Sequence, residues 1–201
     1  MIITTKNNQT TISKKISLTG VGLHTGKDVT LTFIPSESNS GYKFKRIDLD
    51  GQPIIEADIN YVTNTERGTC LDKNGINIQT CEHVLASLVG LEIDNVLIEL
   101  DASEPPIMDG SSKYFVEALE NAGIKELNEK RKEFVVKKVI SYKDEVSGSE
   151  ITVIPSDDYQ ITTMVDFGTK ILGTQNASIS SLKEFKDDIS KCRTFSFLHE
   201  I

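Results

Sequence analysis

The sequence is short of cysteine, of positive charge and of long apolar runs, and each shortage excludes a class of protein. Three cysteines in 201 residues, Cys70, Cys81 and Cys192, cannot build a dense disulfide framework, and their spacing matches neither CxxC nor a zinc-finger pattern. Reduced thiols in a cytoplasmic protein are the simplest reading. Lysine and arginine number 22 against 30 aspartates and glutamates, a formal charge of −8. Non-specific affinity for nucleic acid or an anionic membrane is therefore not expected, while a local basic pocket for a phosphorylated small molecule stays open. No stretch approaches the ~20 consecutive apolar residues that span a bilayer, and the polar start MIITTKNNQTTISKK has no apolar segment of signal-peptide type. What is there is the balance of a folded chain. Hydrophobic residues at 38% and charged residues at 26% lie outside the disordered range, and at about 150 residues per domain the length suits one domain or two small ones.

Strand patterns dominate the first part. Ile12, Ile16 and Leu18 sit two or four apart, and Val29, Leu31 and Phe33 alternate with polar residues in DVTLTFIP. YKFKRID and QPIIEADI add strand candidates, SESNSG is a turn, and NVLIEL is a strong strand. QTCEHVLASLVG predicts a helix capped by Thr80, with Leu85, Leu88 and Val89 on its apolar face and Gly90 ending it in a left-handed conformation. SSKYFVEALENAG predicts a second, with Phe115, Ala118 and Leu119 inward and Gly123 as the stop; its entry, PPIMDGSS, is stiffened by prolines and turned by Asp109 and Gly110. The charge-dense IKELNEKRKE reads as a boundary, dividing the chain into 1–126 and 127–201. Strand-like sequence resumes in FVVKKVI, EITVIPS and YQITTMVDF, and SLKEFKDDIS predicts a helix with Ser181 and Glu184 spaced as a capping box. TFIPSESNSGYKFKRID in the first part echoes TVIPSDDYQITTMVDF in the second, each a strand, a proline turn and a strand. Chance and repetition both account for that; repetition gives an α+β chain of two related units, the second unfinished.

Glu82 and His83 are the sharpest chemical pair. They are either ordinary surface sequence or reacting groups in a helix's first turn, where free amide N–H groups favour a carboxylate. A neutral imidazole is a metal ligand, and a carboxylate beside it can accept a proton from water. The spacing is not HExxH, one histidine cannot hold zinc alone, and adjacent Cys81 diverges by about 100° on a helix, so further ligands would have to come from distant sequence. TGVGLHTGK fits neither the dinucleotide fingerprint nor Walker A. It reads as strand, turn and strand, with His24 facing a ligand or capping local backbone. CRTFSF is either an amphipathic strand, hydroxyls of Thr194 and Ser196 on one face and rings of Phe195 and Phe197 on the other, or a site in which Thr194 stabilises an oxygen and the rings line an apolar path.

TGVGLHTG, CEHVLASLVGLEIDNVLIEL, EPPIMDGSS and CRTFSF, in that order, make the chain resemble the N-terminal two-thirds or so of the zinc-dependent UDP-3-O-acyl-N-acetylglucosamine deacetylases of lipid A biosynthesis. The ending CRTFSFLHEI looks most like members fused to a β-hydroxyacyl-carrier-protein dehydratase, which would lie beyond this chain. The resemblance implies an α+β fold of two related domains, each with helices packed on a sheet, and a site between them. It also implies zinc as cofactor, a UDP-sugar lipid precursor as substrate, and hydrolysis of the 2-acetamido bond to acetate and a free amine. By the same resemblance His83 is a zinc ligand, Glu82 the general base, Thr194 a stabiliser of the oxyanion and Phe195 a substrate neighbour; His24 falls near the cleft without an assigned role. The family's His-x-x-x-Asp motif, its lysine and its later acidic histidine are not matched here, and His199 is too close to CRTFSF to replace them. The expectation is a fragment with an incomplete second domain, inactive by itself. The competing reading is a non-catalytic module that binds a nucleotide sugar or an acyl carrier.

Overall fold

The computed structural model describes residues 1–196. Its elements, in chain order, are β1 (Ile2–Ile12), β2 (Ile16–Val21), β3 (Asp28–Pro35), β4 (Tyr42–Arg46), β5 (Ile54–Glu56), β6 (Val62–Asn64), β7 (Cys70–Lys73), β8 (Ile76–Ile78), α1 (Glu82–Gly90), β9 (Val96–Leu100), α2 (Lys113–Ala122), β10 (Ile124–Phe134), β11 (Ile140–Lys143), β12 (Glu150–Val153), β13 (Ile161–Asp166) and β14 (Thr174–Ile179). The α+β class expected from the pattern is what forms.

The core is a five-stranded sheet in the order β2-β3-β9-β4-β5, in which β3 and β9 are antiparallel and β4 and β9 parallel. Alternation in β3 turns Val29, Leu31 and Phe33 inward, and the same period in β9 turns Val96, Ile98 and Leu100 inward. Register then aligns one apolar row across four strands, Phe33 opposite Ile98, Ile98 beside Phe44 and Phe44 opposite Ile55. All four are essentially without solvent exposure, each such side chain stabilising the fold by about 1.5–3 kcal/mol. The row is covered by the helices: Phe115 of α2 meets Phe33 edge to face at 6.4 Å, and Val84 and Leu88 of α1 join the same cluster. A small sheet, β6-β7-β8, precedes α1.

Helix α2 matches its sequence pattern, with Phe115, Ala118 and Leu119 buried and Gly123 as C-cap at φ 74°. Helix α1 departs from it at both ends. Cys81, not Thr80, is the N-cap and makes no side-chain cap bond, because the Thr80 hydroxyl donates elsewhere, to Glu104 at 2.8 Å. Gly90 is the last helical residue, and the left-handed residue is Glu92 at φ 53°.

IKELNEKRKE, the stretch that reads as a boundary, lies in β10, which pairs antiparallel with β1 from Ile12 opposite Ile124 to Ile2 opposite Phe134. Most of its side chains face water, so backbone pairing holds it without the apolar alternation by which strands are recognised. Arg131 pins the ribbon to the loop after α1 through Glu92 and Asp94, each at 3.0 Å. SLKEFKDDIS is not one α-helix either. A 3-10 turn at Leu182–Glu184 runs into a π-type turn at Phe185–Ile189. Ser181 does cap the first, accepting from the Lys183 amide, while Glu184 reaches back to the Ser180 amide. Phe185 is buried against α1, where a Cβ on Gly90 would lie 2.0 Å from its ring; that contact, not a left-handed turn, accounts for the glycine.

The hairpins β11-β12 and β13-β14 form separate two-stranded sheets. Large apolar side chains in and around them face solvent, Val146 and Ile171 almost completely.

Candidate active site at the entry to helix α1

Local sequence brings Glu82 and His83 to one place by starting α1 at Glu82. The Glu82 carboxylate turns back onto the segment before β7: one oxygen accepts from the Thr69 amide at 2.8 Å. The other stands 3.8 Å from His83 Nε2. Gly68 lies directly over this carboxylate, since a Cβ there would be 3.4 Å from it. The His83 side chain is mostly covered and that of Glu82 more open, 17% against 38% exposed. The first-turn amides of α1 add a favourable field for the carboxylate's negative charge. A held, partly solvated carboxylate next to an imidazole is an arrangement suited to proton transfer from water.

Cys81 turns its thiol toward Thr69, in the segment before β7. Its Sγ is fully buried and donates to the Thr69 carbonyl at 3.2 Å. Burial, reinforced by the charge of Glu82, pushes the thiol up to about 12, which disfavours the reactive thiolate form. Its role is to hold Thr69, the residue whose amide holds Glu82.

The turn PPIMDGSS ties distant motifs together. Ser112 Oγ donates to the His83 carbonyl at 3.0 Å, and two residues earlier the Gly110 carbonyl accepts from the Thr194 amide at 2.8 Å. Asp109 Oδ2 stands 3.6 Å from Arg193 Nε; hydrogen bonding from Ser111 and the Arg193 charge hold its carboxyl below the usual range. Thr194 thus hangs from the same turn that braces His83. Residues 192–196 form no strand, which corrects the amphipathic-strand reading of CRTFSF over that range. Phe195 is 60% exposed and packs on Phe167, after β13, at 5.4 Å between ring centroids. Phe197 and His199 lie outside the described residues.

TGVGLHTGK forms the expected turn between strands, joining β2 to β3. His24 is exposed, with Nε2 3.3 Å from the Arg67 carbonyl. Two residues further on, Thr69 binds Glu82, so the glycine-rich turn and the Glu82 loop meet. Pattern reading missed the group beneath this junction, Glu104, a carboxylate with no solvent exposure. The available signal was a lone acid inside the apolar, proline-flanked run ASEPPIM.

Among the described residues no group of three or more histidine, cysteine, aspartate or glutamate side chains is placed to hold a metal ion. A catalytic zinc takes three protein ligands, and the described residues bring no such set together around His83.

The sequence profile described as LpxC, UDP-3-O-acyl N-acetylglycosamine deacetylase, matches residues 9–201. A protein of Bacteroides thetaiotaomicron named bifunctional enzyme LpxC/FabZ is 42% identical over 193 residues, which is 96% of this chain and 42% of the relative. One of the same name from Chlorobaculum tepidum is 44% identical over 195 residues, with the same two shares. A UDP-3-O-acyl-N-acetylglucosamine deacetylase of Geotalea uraniireducens is 40% identical over 194 residues, covering 96% of this chain and 62% of the relative. The chain therefore spans about two-fifths of the length of the bifunctional relatives it matches.

Proposed function

The chain belongs to the UDP-3-O-acyl N-acetylglycosamine deacetylase family, and from that membership we propose that the whole protein hydrolyses the 2-acetamido bond of UDP-3-O-acyl-N-acetylglucosamine. The observation that carries the reading is the Glu82 carboxylate, fixed by the Thr69 amide beside His83 at the open end of α1.

In this proposal Glu82 accepts the proton of the attacking water. His83 contributes one imidazole to a zinc ion, which supplies Lewis-acid stabilisation of the carbonyl oxygen when bound. Thr194, exposed and suspended from Gly110, offers a hydroxyl to the same developing negative charge. Phe195 and Phe167 provide an apolar surface beside the substrate. The relatives named LpxC/FabZ support a fused dehydratase in the whole protein, and the free thiols support a reducing, cytoplasmic setting. No helix of the described residues is long and apolar enough to cross a membrane.

The repeat heard in the sequence supports a two-domain build, 1–126 and 127–201. In the first unit the proline turn after β3 separates two hairpins, β2-β3 and β4-β5, with β9 between them. In the second, the proline turn after β12 separates hairpins β11-β12 and β13-β14. The apolar side chains those hairpins expose are then the sheet face that helices cover.

Glu82→Gln in the full-length protein tests the function. The amide keeps size and loses the proton acceptor, so kcat should fall about 10²–10⁴-fold with zinc content unchanged. Unaltered kcat at full metal occupancy would remove Glu82 from the base role, whereas no turnover by the metal-loaded wild-type protein would return the chain to a binding module.

A further inference from the structure

We propose that Glu104 is a positioning residue for this site, its single buried carboxylate locking the glycine-rich turn to the entry of α1. The inference rests on the reading of Glu82 and His83 as the reacting groups, but its test uses no activity, so the two fail separately.

Two oxygens of Glu104 gather three donors from two stretches of chain. From the turn, the Thr25 amide donates at 2.9 Å and the His24 amide lies 3.1 Å from both oxygens. From the other side the Thr80 hydroxyl donates at 2.8 Å, immediately before Cys81, the N-cap of α1. These contacts are strongest with the ionised carboxylate. Burial alone pushes the carboxyl up, but the bonds from Thr25, His24 and Thr80 outweigh it and hold it below the ordinary glutamate range.

The backbone on both sides is shaped for this carboxylate. A Cβ on Gly22 would stand 2.6 Å from a Glu104 oxygen and 2.3 Å from the Thr25 hydroxyl, so the glycine allows the turn to close over an internal carboxylate. Thr80 sits at φ 51°, a left-handed conformation that a β-branched residue rarely adopts. Such strain persists where surroundings enforce it, and the hydroxyl bond to Glu104 is the enforcing contact. The turn's outer end places the His24 ring on the Arg67 carbonyl, and the α1 entry leads into Glu82, whose carboxylate returns to Thr69. Both ends of the junction therefore start from Glu104: the turn carries His24, the helix carries the base.

A carboxylate that only filled the core would lower stability on removal without preferentially releasing these groups. The test is amide hydrogen exchange and ring 15N NMR on the full-length protein, with Phe44→Leu in the sheet core as a control for general destabilisation. Glu104→Ala should speed exchange of the His24, Thr25 and Thr69 amides about 10-fold to 100-fold. It should also move the His24 ring nitrogens toward the shifts of imidazole in water. Thr80→Val should release the Thr69 amide alone, whereas Thr80→Ser, which keeps the hydroxyl, and Glu104→Gln, which keeps an acceptor, should restore most protection. The proposal is overturned if Glu104→Ala changes these signals no more than Phe44→Leu does. It is equally overturned if Thr80→Val and Thr80→Ser are indistinguishable at Thr69, a comparison that decides the matter alone should Glu104→Ala not fold.

Discussion

Gly90→Ala should destabilise the protein, although it replaces the poorest helix former short of proline by the best. Alanine gains up to about 1 kcal/mol in a helix interior over glycine. At Gly90, however, the new Cβ would meet Phe185 at 2.0 Å, with two further ring atoms at 2.4 and 2.5 Å, and no rotation of a methyl group relieves that overlap. The π-type turn carrying Phe185 must lift away. Phe185 is 7% exposed, and freeing a buried phenylalanine forfeits about 1.5–3 kcal/mol. The net loss is then about 0.5–2 kcal/mol with the full helix gain subtracted, confined to residues 181–190. Amide exchange in that segment should accelerate about 10-fold, 1.4 kcal/mol being tenfold, while β3 and β9 keep their protection. A double-mutant cycle isolates the cause. In a Phe185→Ala background the obstruction is gone, and Gly90→Ala should become neutral or stabilising by up to about 1 kcal/mol. Equal costs in the two backgrounds would refute the reasoning and leave Gly90 with a purely backbone role.

Thr194→Val in the full-length protein should reduce single-turnover rate about 10-fold to 10³-fold with little change in substrate affinity, since the isosteric methyl removes only the hydroxyl donor; weakened affinity at an unchanged rate would place Thr194 in ground-state binding. Because hydrogen bonds hold the folded Glu104 carboxyl below its ordinary value, the stability it contributes is present above the unfolded pKa and is lost as pH falls through the folded one. Acid unfolding of Glu104→Gln should accordingly be less pH-dependent below about pH 4.5, and identical pH profiles would show that Glu104 titrates alike in both states. Alkylation of the native chain near pH 8 should label exposed Cys192 long before Cys81, whose buried thiol is pushed up to about 12; comparable labelling, followed by peptide mass spectrometry, would mean that the packing of Cys81 on Thr69 is not maintained.

What the sequence determined by itself is the part of the fold in which a local period or a local stop agrees with the packing. Alternation placed Val29, Leu31 and Phe33 in the core, helical spacing placed Phe115 and Leu119 there, and Gly123 ends α2 where a left-handed residue is required. The first-turn position of Glu82 and His83 follows from the same spacing, since α1 begins at Glu82, so the pair proposed to react was legible before any contact was known. Backbone pairing and close approach have no period, and tertiary structure alone decided those. β10 carries charge in place of alternation and becomes a strand because β1 offers a partner. β9 enters between β3 and β4 although they are nearer in sequence. Gly22 and Gly90 look like turn and cap residues, yet one makes room for the Glu104 carboxylate and the other for the Phe185 ring. Thr80 looks like a cap and is drawn from that role by Glu104. In each case the partner comes from another part of the chain, and the residue's neighbours in sequence carry no trace of it.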